Sequence, residues 1–73
     1  MLTGTLKWFD AKKGFGFIVP DLGGADVFVH IHEVHRAGIE KLVEGDPIHY
    51  GVVTDSKSGR QRADRLSIPA ITN

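Results

Sequence analysis

The sequence predicts an all-β protein, a small barrel of five short, antiparallel strands. Three observations carry this. Stretches of strand length alternate apolar and polar side chains, the period of a strand with one face in a core. Clusters of turn-forming residues punctuate them: Ala11-Lys12-Lys13-Gly14, Pro20 to Ala25, Gly45-Asp46-Pro47 and Asp55 to Gly59. No stretch carries an amphipathic helix of useful length. Five short strands in 73 residues can hide their edges by closing on themselves.

The first strand spans Leu2 to Asp10. Leu2, Gly4 and Leu6 share one face, with Thr3, Thr5 and Lys7 opposite. Strict alternation would bury Trp8 beside Leu6; exposing it requires a bulge or bend near Lys7. The second strand is Phe15 to Val19, with Ile18 inward and Phe15 and Phe17 outward. The third is Asp26 to His30, where Val27 and Val29 make the core face and Asp26, Phe28 and His30 the outer one. Short connections make these three an antiparallel meander. Ile31 to Asp46 is the longest irregular stretch. It begins with one helical turn that drops Val34 into the core, turns at Gly38, and tucks Ile39 and Leu42 under the loop. The fourth strand, Pro47 to Thr54, points Ile48, Tyr50 and Val52 inward. The fifth, Arg62 to Ile68, places Ala63 and Arg65 on one face and Asp64 and Leu66 on the other; which face is inward stays open. The domain is expected over residues 1–68, with residues 69–73 a frayed tail.

Composition sets limits. A chain this short buries about 60% of its unfolded surface, so its stability is a few kcal/mol. There is no cysteine, hence no disulfide or thiolate metal site. No basic-then-apolar leader opens the chain, and no apolar run could span a bilayer; a cytoplasmic protein without membrane contact is expected. Nine basic residues balance nine acidic ones, which argues against binding driven mainly by charge. The basic residues concentrate toward the two ends and the acidic ones toward the middle.

The aromatic pattern is the most informative feature. Residues 7–17 hold four of the six aromatic side chains, with three lysines among them. Phe15, Phe17, Phe28 and His30 would form one outward patch on neighbouring strands. A small domain has no packing reason to expose adjacent large rings. Unpaired bases on a phosphate backbone offer flat π-faces and negative charge together, which suits rings interleaved with Lys7 and Lys13. Lys57, Arg60 and Arg62 are further candidates for backbone contact.

Lys7-Trp8-Phe9 with Lys13-Gly14-Phe15-Gly16-Phe17-Ile18, followed by Asp26-Val27-Phe28-Val29-His30, resembles the two RNA-binding motifs of the bacterial cold shock proteins. The resemblance covers about Leu2 to Leu66. It implies a Greek-key β-barrel of the OB-fold type that binds single-stranded RNA and DNA, with a slight pyrimidine preference, and that acts as an RNA chaperone and regulator of transcription or translation. It also implies that Trp8 is exposed, that Phe9 is partly exposed and contributes, and that Ile31 stands beside the binding face. Three positions depart from the family pattern. Ile31 and Ile39 stand where many members carry aromatics, and Asp10 where Asn is frequent. An isoleucine offers no π-face, so two outer subsites should be weaker; a carboxylate can accept from a base amino group but repels phosphate, which leaves the effect on the subsite next to Trp8 open.

Other functions fare worse. His30, His32, His35 and Glu33 could be read as metal ligands, but a strand end followed by one helical turn points them apart, so no metal and no cofactor is expected. No Ser/His/Asp or Cys/His set, phosphate-cradling loop or carboxylate pair suggests an enzyme, and a barrel this small is filled by its own side chains. The rival reading is a protein-interaction module using the aromatic patch as its interface. The chain is expected to be a monomer.

Overall fold

The computed structural model describes residues 1–69; of the expected tail, all but Pro69 lies outside the described residues. The order is β1 (Leu2–Asp10), β2 (Phe15–Pro20), β3 (Val27–His30), α1 (Ile31–Arg36), β4 (Pro47–Thr54) and β5 (Gln61–Ser67). Strand limits differ from the sequence expectation by one residue at the end of β2, the start of β3 and both ends of β5, the usual latitude of element ends. The strands close into a barrel in the order β1-β2-β3-β5-β4. Four ladders are antiparallel. The closing contact is parallel and brief, Phe28 against Arg62, because β3 and β5 meet only through the Greek-key return.

Two irregularities set which side chains point inward. In β1, Leu6 pairs with Ile18 and Trp8 with Phe17, so Lys7 has no partner opposite it. This one-residue bulge reverses the parity of the strand. Leu6 is buried, and Trp8 is turned to the outer face. In β5, His49 pairs with Ser67 but Gly51 with Asp64, so three steps along β5 match two along β4. Arg65 takes up the extra residue, at φ 47°. Ala63 and Leu66 are therefore both buried, which unbroken alternation forbids. Leu2 departs from its expected inner position and stays 41% exposed, at the mouth of the barrel.

The core comprises Leu6, Ile18, Val27, Val29, Ile48, Tyr50, Ala63 and Leu66 from the strands and Val34 from α1. Phe9, Ile39, Leu42 and Val52 pack against it half-buried. Two glycines let strands approach closely. A Cβ at Gly16 would collide with the Trp8 carbonyl oxygen and lie 2.7 Å from the Phe9 ring. A Cβ at Gly4 would lie 2.6 Å from the Val19 carbonyl oxygen and 2.7 Å from Ile18.

The long connection is better ordered than its sequence suggests. α1 ends in a Schellman motif: Ile39 N–H donates to the Val34 carbonyl and Gly38 N–H to that of His35. Further on, Leu6 N–H donates to the Asp46 carbonyl and Gly45 N–H to that of Leu6, so the loop continues the β1–β4 pairing upstream of Pro47. In the β4–β5 turn, the Asp55 carboxylate accepts from the backbone N–H of Lys57 at 2.7 Å and of Ser58 at 3.2 Å. Those two bonds hold its carboxyl below the usual range. No helix among the described residues is long and apolar enough to cross a membrane.

Tyr50 is 1% exposed. Burial first, and the Asp21 charge second, push its phenol above the ordinary value. A raised phenol pKa means that the unfolded chain ionises first. The stability this neutral phenol contributes is fully present below about pH 10 and is lost as pH rises through the folded-state value. Urea unfolding between neutral and strongly alkaline pH should show the parent losing stability above about pH 10 faster than Tyr50→Phe; parallel curves would refute this.

Candidate nucleic-acid interface

The β1 bulge and the β2–β3 register build one row of rings. Trp8 is opposite Phe17 and Phe17 opposite Phe28. Arg62 on β5 is opposite Phe28, so the row crosses four strands. A second row runs Asp10, Phe15, His30. Trp8 meets Phe15 and Phe17 edge to face at 5.5 and 5.4 Å between ring centroids. Phe15 stacks on Phe28 at 5.6 Å with planes 26° apart, and Phe17 meets Phe28 at 5.9 Å and 75°. His30 lies 6.3 Å from Phe28. All five rings are half-buried: their inner edges brace one another, and their outer surfaces face solvent. They stay outside because Leu6, Ile18, Val27 and Val29 already fill the inner positions of the same strands.

Two sequence-predicted aromatic or apolar positions lie off this patch. Phe9 follows Trp8 on the inner side and lies across Gly16. Ile31 opens α1 and rests against the β1–β2 turn, its Cγ2 3.3 Å from where a Gly14 Cβ would sit. Both line a hollow of about 210 Å³ with Val34, Ile39 and Leu42, behind the turn.

The charged candidates have definite surroundings. Lys7 Nζ is 2.8 Å from the Asp26 carboxylate in an exposed ion pair; such a pair is worth about 0.2–1 kcal/mol, so it is easily exchanged. The Asp10 carboxylate accepts from the backbone N–H of Lys12 at 2.9 Å and of Lys13 at 3.1 Å. It ties down the β1–β2 turn and leaves the Lys12 and Lys13 ammonium groups in solvent. Arg60 and Arg62 border an open groove of about 1030 Å³ running from Phe17 and Phe28 between the β2–β3 and β4–β5 loops. Lys57 stands exposed in the β4–β5 turn.

The sequence reading missed the cap that orients His30. The His30 ring accepts at Nδ1 from the His32 backbone N–H, 3.1 Å away, and so caps α1. In the neutral ring this leaves the proton on Nε2. His32 itself, weighed from the sequence only within a set of metal ligands that was set aside, has its ring centroid 4.5 Å from that of His30. Its position two residues beyond His30, at a helix start, was the available signal. Among the described residues, no three histidine or acidic side chains come together as metal ligands.

Comparison with known proteins shows the family. The family described as "'Cold-shock' DNA-binding domain" matches residues 2–68. The chain is 61% identical over 66 residues to a probable cold shock protein of Sinorhizobium fredii, covering 90% of this chain and 96% of that one. It is 56% identical over 66 residues to cold shock protein CspA of Rhizobium meliloti, with the same coverage. A cold shock domain-containing protein of Arabidopsis thaliana is 44% identical over 66 residues, 90% of this chain but 32% of that longer protein.

The cap made by His30 can be separated from its ring by mutation. His30→Ala should destabilise the fold by about 1 kcal/mol, as for a lost N-cap. His30→Asn, whose side chain also caps, should recover most of that in urea unfolding while lacking the imidazole. Equal loss in both variants would show that the ring's packing, not the cap, carries the stability.

Proposed function

The chain belongs to the cold-shock DNA-binding domain family, and we propose that it binds single-stranded RNA and DNA by stacking unpaired bases on the row Trp8, Phe17, Phe28 and the adjoining Phe15 and His30. The observation that carries this reading is the row itself: three half-buried rings in register across β1, β2 and β3, ending at Arg62, outside a core that is already filled. Each ring can hold a base for roughly 1–3 kcal/mol. A few such contacts suffice to bind a strand after its ordering cost.

The remaining residues take supporting roles. Lys7, Lys13, Lys57, Arg60 and Arg62 steady phosphates around the rings. Asp10 shapes the turn that presents Lys13 and accepts from a base amino group. Asp26 holds Lys7 until a phosphate replaces it. Phe9 and Ile31 support the face from behind the turn. Capture of unpaired bases depletes duplex and hairpin states by mass action, without ATP; this is the action of an RNA chaperone in the cytoplasm and a route to regulating transcription or translation. The family resemblance adds a slight pyrimidine preference, and the chain acts as a monomer in this reading. Titration with a short oligothymidine while following Trp8 emission tests the reading: a base on the indole quenches it, whereas a protein-docking patch would leave it unchanged.

Phe17→Ala and Phe28→Ala should each weaken binding by roughly 1–3 kcal/mol and leave the chain folded; unchanged affinity, or unfolding of both at room temperature, would sink the assignment. Charge should play the smaller part. With about 3–4 phosphates neutralised, the log–log salt slope should be about −2 to −3, and one steeper than about −5 would put charge ahead of stacking. Asp26→Asn, which releases Lys7, should tighten binding at low salt and steepen that slope by up to about 0.7.

A further inference from the structure

The ring patch does not stop at His30. His32 is exposed, and its ring lies against that of His30 at 4.5 Å with planes 61° apart. The chain has left β3 there, so the contact carries the aromatic surface from the sheet onto α1. On a helix, His32 and Arg36 stand four residues apart and share a face, while Val34 is buried. Four residues separate them, about 6 Å along the helix axis.

The charge on this face favours an anion. The Arg36 side chain is 78% exposed, and its guanidinium reaches Glu33 only at 4.0 Å, the outer limit of an ion pair. Glu33 is the acidic residue of α1, and its side chain is only 16% exposed. A cation in the last helical turn is expected from the helix dipole alone, and that accounts for Arg36 by itself. It does not account for an exposed imidazole one turn earlier on the same face, packed edge to face on a ring of the adjoining patch.

We propose that the outer face of α1 extends the nucleic-acid path, with His32 as a further stacking platform and Arg36 as the contact for the next phosphate of the same single strand. This rests on the ring-face reading and lengthens that site. The backbone supports the arrangement. The N–H of His32 is the donor held by His30 Nδ1, so the His30 platform and the start of α1 are fixed relative to each other before a strand arrives.

The test compares two oligothymidines on the intact protein. One just covers the rings from Trp8 to His30, and the other is longer by on the order of two nucleotides. Binding is followed by Trp8 quenching. The parent should bind the longer strand more tightly. His32→Ala should lose about fivefold on the longer strand, the low end of a stacking contact, and nothing on the shorter one. His32→Phe should keep the length-dependent gain. Arg36→Gln should lower the salt slope by about 0.7 on the longer strand only. His32→Ala retains the backbone N–H that His30 caps, and thermal melts of each variant check that the fold is intact. Equal affinity of the parent for the two lengths would overturn the extension while leaving the ring face standing. Tighter binding by His32→Ala would also overturn it, showing that the His32 ring covers His30 rather than adding to it. Failure of the parent to bind either strand would remove the ring-face reading and this extension together.

Discussion

One unpaired residue in β1, Lys7, decides what the outside of this barrel looks like. Before it, alternation puts Leu6 in the core opposite Ile18; after it, the parity is reversed, and Trp8 stands outside opposite Phe17. The reversal also carries Phe9 inward over Gly16, where a Cβ would collide with the Trp8 carbonyl oxygen. Bulge, indole and glycine are thus one device. Without the bulge, the indole would enter a core already filled by Leu6, Ile18 and the valines of β3, and the row of rings would begin only at β2.

A small barrel has little stability to spare for surface chemistry, and this one separates the two tasks by face. The core is made of compact aliphatic side chains with a single buried tyrosine, while the phenylalanines at 15, 17 and 28 stay half-buried outside. Their edge-to-face and stacked contacts recover part of the exposed apolar area. They also brace the rings against one another.

Electrostatics on this neutral chain is arranged locally. The Asp26 carboxylate holds Lys7, and Asp10 is occupied by the turn that displays Lys12 and Lys13. Two acidic residues near the rings thereby position basic ones. Exposed pairs of this sort are weak and screened by salt.

The sequence by itself determined the strand-turn pattern, the inner valines of β3, Ile18 and Tyr50 as core, and the outward Phe15, Phe17, Phe28 and His30, because a period of two ties each side chain to a face wherever alternation is unbroken. Its resemblance to the cold shock proteins supplied what alternation could not, the exposure of Trp8. Tertiary structure decided the rest where alternation fails or long-range pairing intervenes. The Arg65 bulge in β5 buries both Ala63 and Leu66, a choice that depends on how β5 registers against β4. The brief parallel contact of Phe28 with Arg62 brings an arginine from the far end of the chain to the end of the ring row. The contact of His32 with His30 depends on the cap geometry at the start of α1. Each depends on atoms distant in sequence or on a single backbone hydrogen bond, and local side-chain periodicity carries no information about either.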